Sequence, residues 1–138
     1  MPISKMRMCA AVISTGSANH AVRMGWLNST NPSPDPAEGV YFRATTNGNW
    51  FAVTRTGSAE TATDTGVAVN GSYHRFEIDY NSTSEVKFYI DGVLKATHTT
   101  NITTTSGYIM PMFLVNSSSG AVQLDVDYFA VAITGISR

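Results

Sequence analysis

The segment "VKFYIDGVLKATHTT", Val86–Thr100, has two runs of alternating apolar and polar residues on either side of an Asp91-Gly92 pair. Such alternation is typical of a half-buried β-strand, and Asp-Gly between two such runs favours a two-residue hairpin turn. The sequence therefore predicts a β-hairpin whose turn sets the strand pairing. The predicted pairs are Ile90 with Val93 and Phe88 with Lys95, and the predicted core face is Val86, Phe88 and Ile90.

The same period of two recurs along the rest of the chain, and no long stretch has the apolar spacing of a helix. Alternating segments include "HAVRMGWL", "GVYFRATTNGNWFAVTRTG", "YHRFEIDYN", "GYIMPMFLVN" and "LDVDYFAVAIT". About nine or ten short strands separated by polar turns predict an all-β antiparallel sandwich or barrel. With 138 residues and no linker or repeat, the chain is expected to form a single domain over residues 1–138.

The composition excludes several classes of protein. Hydrophobic residues make up 43% and charged residues 14% of the chain, which rules out a disordered, highly charged polymer. The net charge of −1 argues against nucleic acid as a partner, because proteins that bind phosphates usually carry a basic excess. No segment reaches the roughly 18 apolar residues of a membrane helix, so membrane insertion is not expected. The single cysteine, Cys9, excludes an intrachain disulfide.

Four segments carry a resemblance to a known fold family. "GVYFRATTNGNWFAVTRTG", "YHRFEIDYN", "VKFYIDGVLKATHTTNI" and "LDVDYFAVA" resemble the concanavalin A-like jelly roll of legume lectins, laminin-G domains and glucanases. They most resemble the lectin-like domains of phage structural and tail proteins, over about Arg23 to Ile133. The resemblance implies a non-catalytic, lectin-like module on the tail or head surface of a phage virion. It would bind cell-surface glycan or a neighbouring virion protein.

A virion protein needs no signal peptide, because lysis releases the particle, and assembly in the cytoplasm accords with the lack of disulfides. The expected location is therefore the virion, which becomes extracellular after release. An alternative is a purely structural decoration or fibre protein that acts through oligomer contacts, for instance as a homotrimer. Edge strands in a small sandwich invite such pairing.

A third reading, a glycoside hydrolase, depends on "FEIDYN". Family-16 glucanases, which share this fold, carry Glu-Ile-Asp-x-Glu or Glu-Ile-Asp-x-x-Glu on one strand. Glu77 and Asp79 match the first two acids, but Asn81 and Ser82 stand where the last acid is required. Retaining hydrolysis needs two carboxyl groups, one of which protonates the leaving oxygen. We therefore expect no enzymatic activity, with Glu77 and Asp79 on a solvated face opposite His74, Phe76, Ile78 and Tyr80.

The candidate binding residues come from the Asn47-Gly48 turn, a favoured type I′ pair. With these two as loop residues, the turn predicts that Arg43 pairs with Ala52 and Tyr41 with Thr54. Trp50 then shares an outward face with Tyr41 and Arg43. Such a face suits a sugar or a protein partner, since Trp, Tyr and Arg are enriched at binding hot spots. The predicted ligand-binding residues are Tyr41, Arg43 and Trp50, whereas Trp26 is expected in the core with Val22 and Met24.

Metal and cofactor signals are weak. Asp125 and Asp127 lie two residues apart in a predicted strand, and paired carboxylates with Asp64 or Asn116 are possible Ca²⁺ ligands. His20, His74 and His98 have no metal-ligand spacing, and no phosphate-binding glycine loop is present. No cofactor is expected, with Ca²⁺ left open.

Overall fold

The computed structural model describes residues 3–14, 20–31, 34–46, 48–82, 84–103 and 109–134. Within these ranges no helix is long and apolar enough to cross a membrane. The described residues form ten β-strands: β1 (Ile3–Ser14), β2 (His20–Leu27), β3 (Gly39–Thr45), β4 (Asn49–Thr56), β5 (Ala59–Ala68), β6 (His74–Ser82), β7 (Glu85–Ile90), β8 (Val93–His98), β9 (Met110–Ser117) and β10 (Val122–Thr134).

The strands form two five-stranded sheets. Sheet 1 has the order β10-β1-β6-β7-β8, and sheet 2 has the order β5-β4-β3-β2-β9. Every pair of neighbouring strands is antiparallel. The predicted all-β antiparallel sandwich is therefore confirmed. Strand β5 and strand β8 are the free edges on one side of the sandwich, and β9 and β10 are the free edges on the other.

The core consists of the inward-facing residues of both sheets, and aromatic rings join the two layers. The ring of Phe42 in sheet 2 lies 5.0 Å from that of Phe76 and 5.3 Å from that of Phe88, both in sheet 1. Edge-to-face packing of this kind adds stability beyond the area it buries. Trp26 is 4% exposed and belongs to the same cluster as Val22 and Met24, as predicted.

The hairpin of β7 and β8 follows the sequence prediction in most respects. Asp91 and Gly92 have φ values of +53° and +80°, which are typical of a type I′ turn, and Ile90 pairs with Val93. The predicted core face is confirmed, because Val86, Phe88 and Ile90 are all buried. The predicted pairing of Phe88 with Lys95 is wrong: a bulge between Phe88 and Tyr89 shifts the partner of Phe88 to Ala96.

The predicted pairing of β3 with β4 is wrong by one residue. Phe42 pairs with Ala52 and Ala44 pairs with Trp50, whereas the Asn-Gly turn predicted Arg43 opposite Ala52. Asn47 itself lies outside the described residues. Because side chains alternate between faces, a shift of one residue moves the whole set to the other face. Trp50 consequently lies in the core, 1% exposed, with its ring 4.7 Å from that of Phe76.

Tyr41 and Arg43 do face away from the core, but residues near Pro34–Glu38 cover that outer face of sheet 2. The carboxylate of Asp35 accepts a hydrogen bond from Nε of Arg23 and another, of 2.9 Å, from Nη1 of Arg43. The Arg43 guanidinium also makes bonds of 2.9 and 3.0 Å to Glu60. Tyr41 is completely buried. The predicted exposed surface of Tyr41, Arg43 and Trp50 therefore does not form, and the predicted binding role loses its structural basis.

The β5/β8 side of the sandwich is closed by polar contacts around His98. Its Nδ1 lies 3.0 Å from the Thr54 hydroxyl, and its Nε2 lies 2.9 Å from the Thr63 hydroxyl. The hydroxyl hydrogen of Thr54 goes to the carbonyl of Thr100, so Nδ1 of His98 donates and Nε2 accepts. Burial lowers the pKa of His98, and the imidazole is neutral at pH 7. The His98 contacts join sheet 1 to sheet 2.

The β9/β10 side, by contrast, is open and apolar. Inward-facing side chains of these two strands stay partly in solvent: Val115 is 37% exposed and Phe129 is 43% exposed. The rings of Phe113 and Phe129 meet across the gap at 5.2 Å, but nothing in the described chain lies outside them. Val126 and Ile133 of β10 are similarly exposed. The β5/β8 side of the sandwich is thus closed by polar contacts, whereas the β9/β10 side leaves apolar side chains partly exposed.

Candidate functional site

The outer face of sheet 1 gathers charged side chains from two central strands. In β1 the inward residues Met6 and Met8 alternate with the outward residues Lys5 and Arg7. In β6 the buried residues Phe76, Ile78 and Tyr80 alternate with Arg75, Glu77 and Asp79. Since β1 and β6 are hydrogen-bonded neighbours, these outward side chains lie side by side. One row across the sheet runs Ala130, Arg7, Glu77 and Tyr89.

Ion pairs hold the two carboxylates of this face. Nε of Arg7 lies 2.6 Å from Oε2 of Glu77, and Nζ of Lys5 lies 3.1 Å from Oε1 of Glu77 and 3.2 Å from Asp79. Partial burial acts to raise the pKa of Glu77, but the hydrogen bonds from Arg7 and Lys5 outweigh it, and the net pKa is lowered. Glu77 is therefore a stable anion at neutral pH.

Two tyrosines border the same face. Tyr89 lies on β7 beside Glu77, and Tyr128 lies on β10 beside Cys9 of β1. A bulge in β10 sets the direction of Tyr128, because the pairing skips Asp127 between Val126 and Tyr128. Tyr128 therefore leaves the inward set of Leu124 and Val126 and is 43% exposed. Charged and aromatic residues together line a shallow depression of about 440 Å³.

The structure places the predicted hydrolase residues on this face without making them a catalytic pair. Glu77 and Asp79 are half-buried and share Lys5 as a counter-charge. A general acid needs a raised pKa, and that of Glu77 is lowered. The side chains of Asn81 and Ser82 lie outside the described residues. The expectation that the protein is not an enzyme stays a prediction.

Asp64, one of the residues predicted as calcium ligands, lies in the other sheet from Asp125 and Asp127. Asp125 lies on β10 of sheet 1, whereas Asp64 lies on β5 of sheet 2 and accepts hydrogen bonds from Asn49. The alternation that placed Asp125 and Asp127 on one face is interrupted by the bulge at Asp127. In the described ranges, no group of three or more His, Cys, Asp or Glu side chains is arranged to hold a metal ion.

Sequence reasoning missed the site because its parts come from distant strands. It noticed Glu77 and Asp79, but Lys5 and Arg7 precede them by about 70 residues and fit no motif. The alternating "ISKMRMCAAVIS" of β1 carried a usable signal, since its outward positions are basic. The sequence does not say that β1 pairs with the acidic strand β6, and that pairing creates the site.

Solved structures share this fold at low sequence identity. The Bacillus licheniformis β-glucanase has a TM-score of 0.57 and 18% identity, over 86% of this chain and 55% of the glucanase. Sheep galectin-11, solved with glycerol, has a TM-score of 0.55 and 12% identity, over 90% of each chain. A structure of botulinum neurotoxin type C, a toxin whose cell entry depends upon interaction with two ganglioside molecules, has a TM-score of 0.59 and 10% identity.

The chain spans about half the length of the glucanase. The match to the neurotoxin covers 94% of this chain but only 32% of the neurotoxin chain. Such distant likenesses establish the fold, so the predicted concanavalin A-like jelly roll is confirmed. No curated protein matches the sequence. Residues 4–128 match the family described as the SO2946-like, C-terminal domain, and because that match spans most of the chain, the protein belongs to this family.

Proposed function

We propose that the protein is a non-catalytic, lectin-like module that binds glycan in the depression on the outer face of sheet 1. The observation that carries the proposal is the combination of Tyr89 and Tyr128 with ion-paired charges on a flat sheet. Tyrosine rings offer an apolar surface to the C–H face of a sugar, and fixed charges offer hydrogen bonds to its hydroxyls. Lectins and a ganglioside-dependent toxin use the same fold, which adds support.

The absence of catalysis is part of the proposal. Retaining hydrolysis requires one carboxyl group that carries a proton at working pH. Both carboxylates of the depression contact Lys5, and the hydrogen bonds from Arg7 and Lys5 lower the pKa of Glu77, which disfavours its protonated form. The setting of the module, a phage tail or head surface that becomes extracellular on lysis, is a finer proposal supported by the resemblance of its sequence to lectin-like phage proteins.

A glycan array with wild type and Tyr89→Ala tests the glycan proposal. Tyr89 is a suitable position because β6 and β1 separate its strand from the free edge of β10. We expect wild type to bind a subset of glycans and Tyr89→Ala to bind them about fivefold more weakly, since a ring contact contributes roughly 1 kcal/mol. Met110→Ala, which removes a half-exposed apolar side chain from sheet 2, should bind like wild type.

Binding of no glycan by wild type, or equal binding by wild type and Tyr89→Ala, would contradict this proposal. Circular dichroism of each variant confirms that the fold is intact.

A second candidate function, assembly of a particle surface through contacts between copies, is favoured by the free edge of β10. The residues from Phe129 to Ile133 contain no charge, no proline and no bulge. The first half of β10 carries Asp125, Asp127 and a bulge, so only its second half lacks protection, whereas the other edge strands carry the protective residues Pro111 on β9, Lys95 on β8, and Glu60 and Asp64 on β5. Edges without them are open to pairing with another strand.

A second copy of this chain is the partner that the β10 edge fits best. Two β10 strands can pair antiparallel about a two-fold axis that passes through Val131. In this arrangement the core-facing residues of one copy lie opposite the core-facing residues of the other, and the small outward-facing residues also lie opposite each other. No charged residue meets a like charge in this arrangement. The pairs are Phe129 with Ile133, Ala130 with Ala132, and Val131 with its own copy. This contact makes a dimer, and the trimer expected from the sequence stays a prediction.

Light scattering after size exclusion tests the contact. We expect wild type to be a dimer and Ala132→Lys, which puts a charge on the β10 edge, to be a monomer. Ala62→Lys makes the same change on β5, the free edge at the other side of the sandwich, and should stay dimeric. A monomeric wild type, or a dimer that survives Ala132→Lys, would refute pairing through β10.

A further inference from the structure

Arg75 is the cation of the depression whose guanidinium contacts no carboxylate among the described residues, although its charge helps to lower the pKa of Asp91. Its side chain is exposed on the outer face of β6, and among the described residues its guanidinium makes no hydrogen bond and no ion pair. Its backbone N–H donates to Oδ1 of Asp91 at 2.9 Å. The other oxygen of Asp91 lies 2.7 Å from Nδ1 of His74. The nearest acidic turn residue is therefore bound by other groups.

The charges that line the depression leave Arg75 in surplus. Lys5 and Arg7 are balanced by Glu77 and Asp79, through contacts of 2.6 to 3.2 Å. Arg75 is the third cation of the lining, with no third carboxylate there. A guanidinium is a planar fork of N–H donors that matches a carboxylate with two parallel hydrogen bonds. The site thus presents a positively charged fork beside its neutral tyrosine rings.

The position of Arg75 relative to Tyr128 also suits a sugar acid. Cys9 pairs with Tyr128 on one side and with Arg75 on the other, so the three lie in one row across the sheet. Two strand spacings separate Tyr128 from Arg75, which is about 10 Å between their backbones. A sugar ring over Cys9 can contact the tyrosine with its apolar face and direct a carboxylate towards the guanidinium.

We propose that the depression is selective for glycans that carry a carboxylate, such as uronic or sialic acids, and that Arg75 binds this carboxylate. The proposal rests on the glycan-binding function described above and adds its ligand class. A sugar carboxylate would give the Arg75 guanidinium the direct hydrogen-bonding partner that it lacks within the lining of the depression. Lys5 and Arg7 have their own partners, so selectivity depends on Arg75.

Calorimetric titration with matched acidic and neutral sugars tests the proposal. The probes are sialyllactose with lactose, and oligoglucuronate with its carboxyl-reduced counterpart. We expect wild type to bind at least one acid about tenfold more tightly than its neutral match, the effect of a charge-assisted pair. Arg75→Gln should lose the preference but keep the affinity for the neutral sugar. Arg75→Lys should recover part of it, and Lys95→Gln, on β8 outside the lining, should behave as wild type.

The outcomes separate this inference from the function on which it rests. Equal affinity for the two members of every pair, or a preference that survives Arg75→Gln, would overturn the role of Arg75 while leaving glycan binding in place. Binding of neither member of any pair, together with an empty array, would remove both. Because Arg75 is exposed, its variants should have the melting temperature of wild type, which a thermal scan verifies.

Discussion

Trp50→Ala is expected to lower the free energy of unfolding by about 3–5 kcal/mol, the range for removing a large buried aromatic side chain. Trp50 is 1% exposed and its ring packs edge-to-face on Phe76, so the substitution leaves a cavity between the two sheets. A domain of this size has only about 5–15 kcal/mol of total stability, and the variant should unfold at much lower denaturant concentration. Urea titration followed by far-UV circular dichroism measures the change.

Two control variants make the Trp50 result specific. Trp50→Phe keeps most of the buried area and should cost less than half as much. Tyr128→Ala removes an aromatic side chain that is 43% exposed and should cost under about 1 kcal/mol. If Trp50→Ala were as stable as wild type but had lost glycan binding, Trp50 would be a surface residue, as the sequence had suggested, and the observed strand pairing would be wrong.

Asp35→Ala is expected to cost about 2–3 kcal/mol, because it removes a carboxylate shared by buried arginines. The side chain of Arg23 is 7% exposed and that of Arg43 is 17% exposed, and both contact Asp35. The figure lies below the usual range for a broken buried pair, since Glu60 still neutralises Arg43. The loss of Asp35 also releases the segment that covers Tyr41 on the outer face of sheet 2.

Glu85→Ala is the matched control for Asp35→Ala. Its ion pair with Lys87 spans 3.0 Å between side chains that are 33% and 38% exposed, and such surface pairs contribute at most about 1 kcal/mol. Thermal unfolding of both variants beside wild type checks the difference. Equal stability of Asp35→Ala and wild type would show that the arginine contacts do not hold the covering segment.

The strands and the sheet class were readable from the sequence where only one face of a strand is apolar. From Phe76 to Tyr80 in β6 and from Val86 to Ile90 in β7, every second residue is apolar and buried. The Asp91-Gly92 turn then pairs the strands correctly at its own position. The pairing failed one step further along β8, because a bulge at Tyr89 has no local signature.

The hairpin of β3 and β4 shows why alternation has limits. Both of its faces are buried: Trp50 and Phe42 lie under sheet 1, while Tyr41 and Val53 belong to a second cluster under the Asp35 segment. When both faces are apolar, the period of two cannot say which one is the core. The Asn47-Gly48 turn favoured the pairing of Arg43 with Ala52. The observed pairing, with Ala44 opposite Trp50, is the one in which Trp50 is buried between the sheets.

By itself the sequence predicted an all-β antiparallel sandwich of about nine or ten strands and the core faces of several of them, since alternation and turn residues act between neighbours in the chain. Only the tertiary structure decided which charged residues lie together, because β1, β6, β7 and β10 meet through pairings between distant segments. The same long-range pairing placed β10 at the end of the strand order of sheet 1 and turned Tyr128 outward at its bulge. Strand order determines which side chains form a binding surface on a sheet, and strand order depends on contacts between segments that are far apart in the sequence.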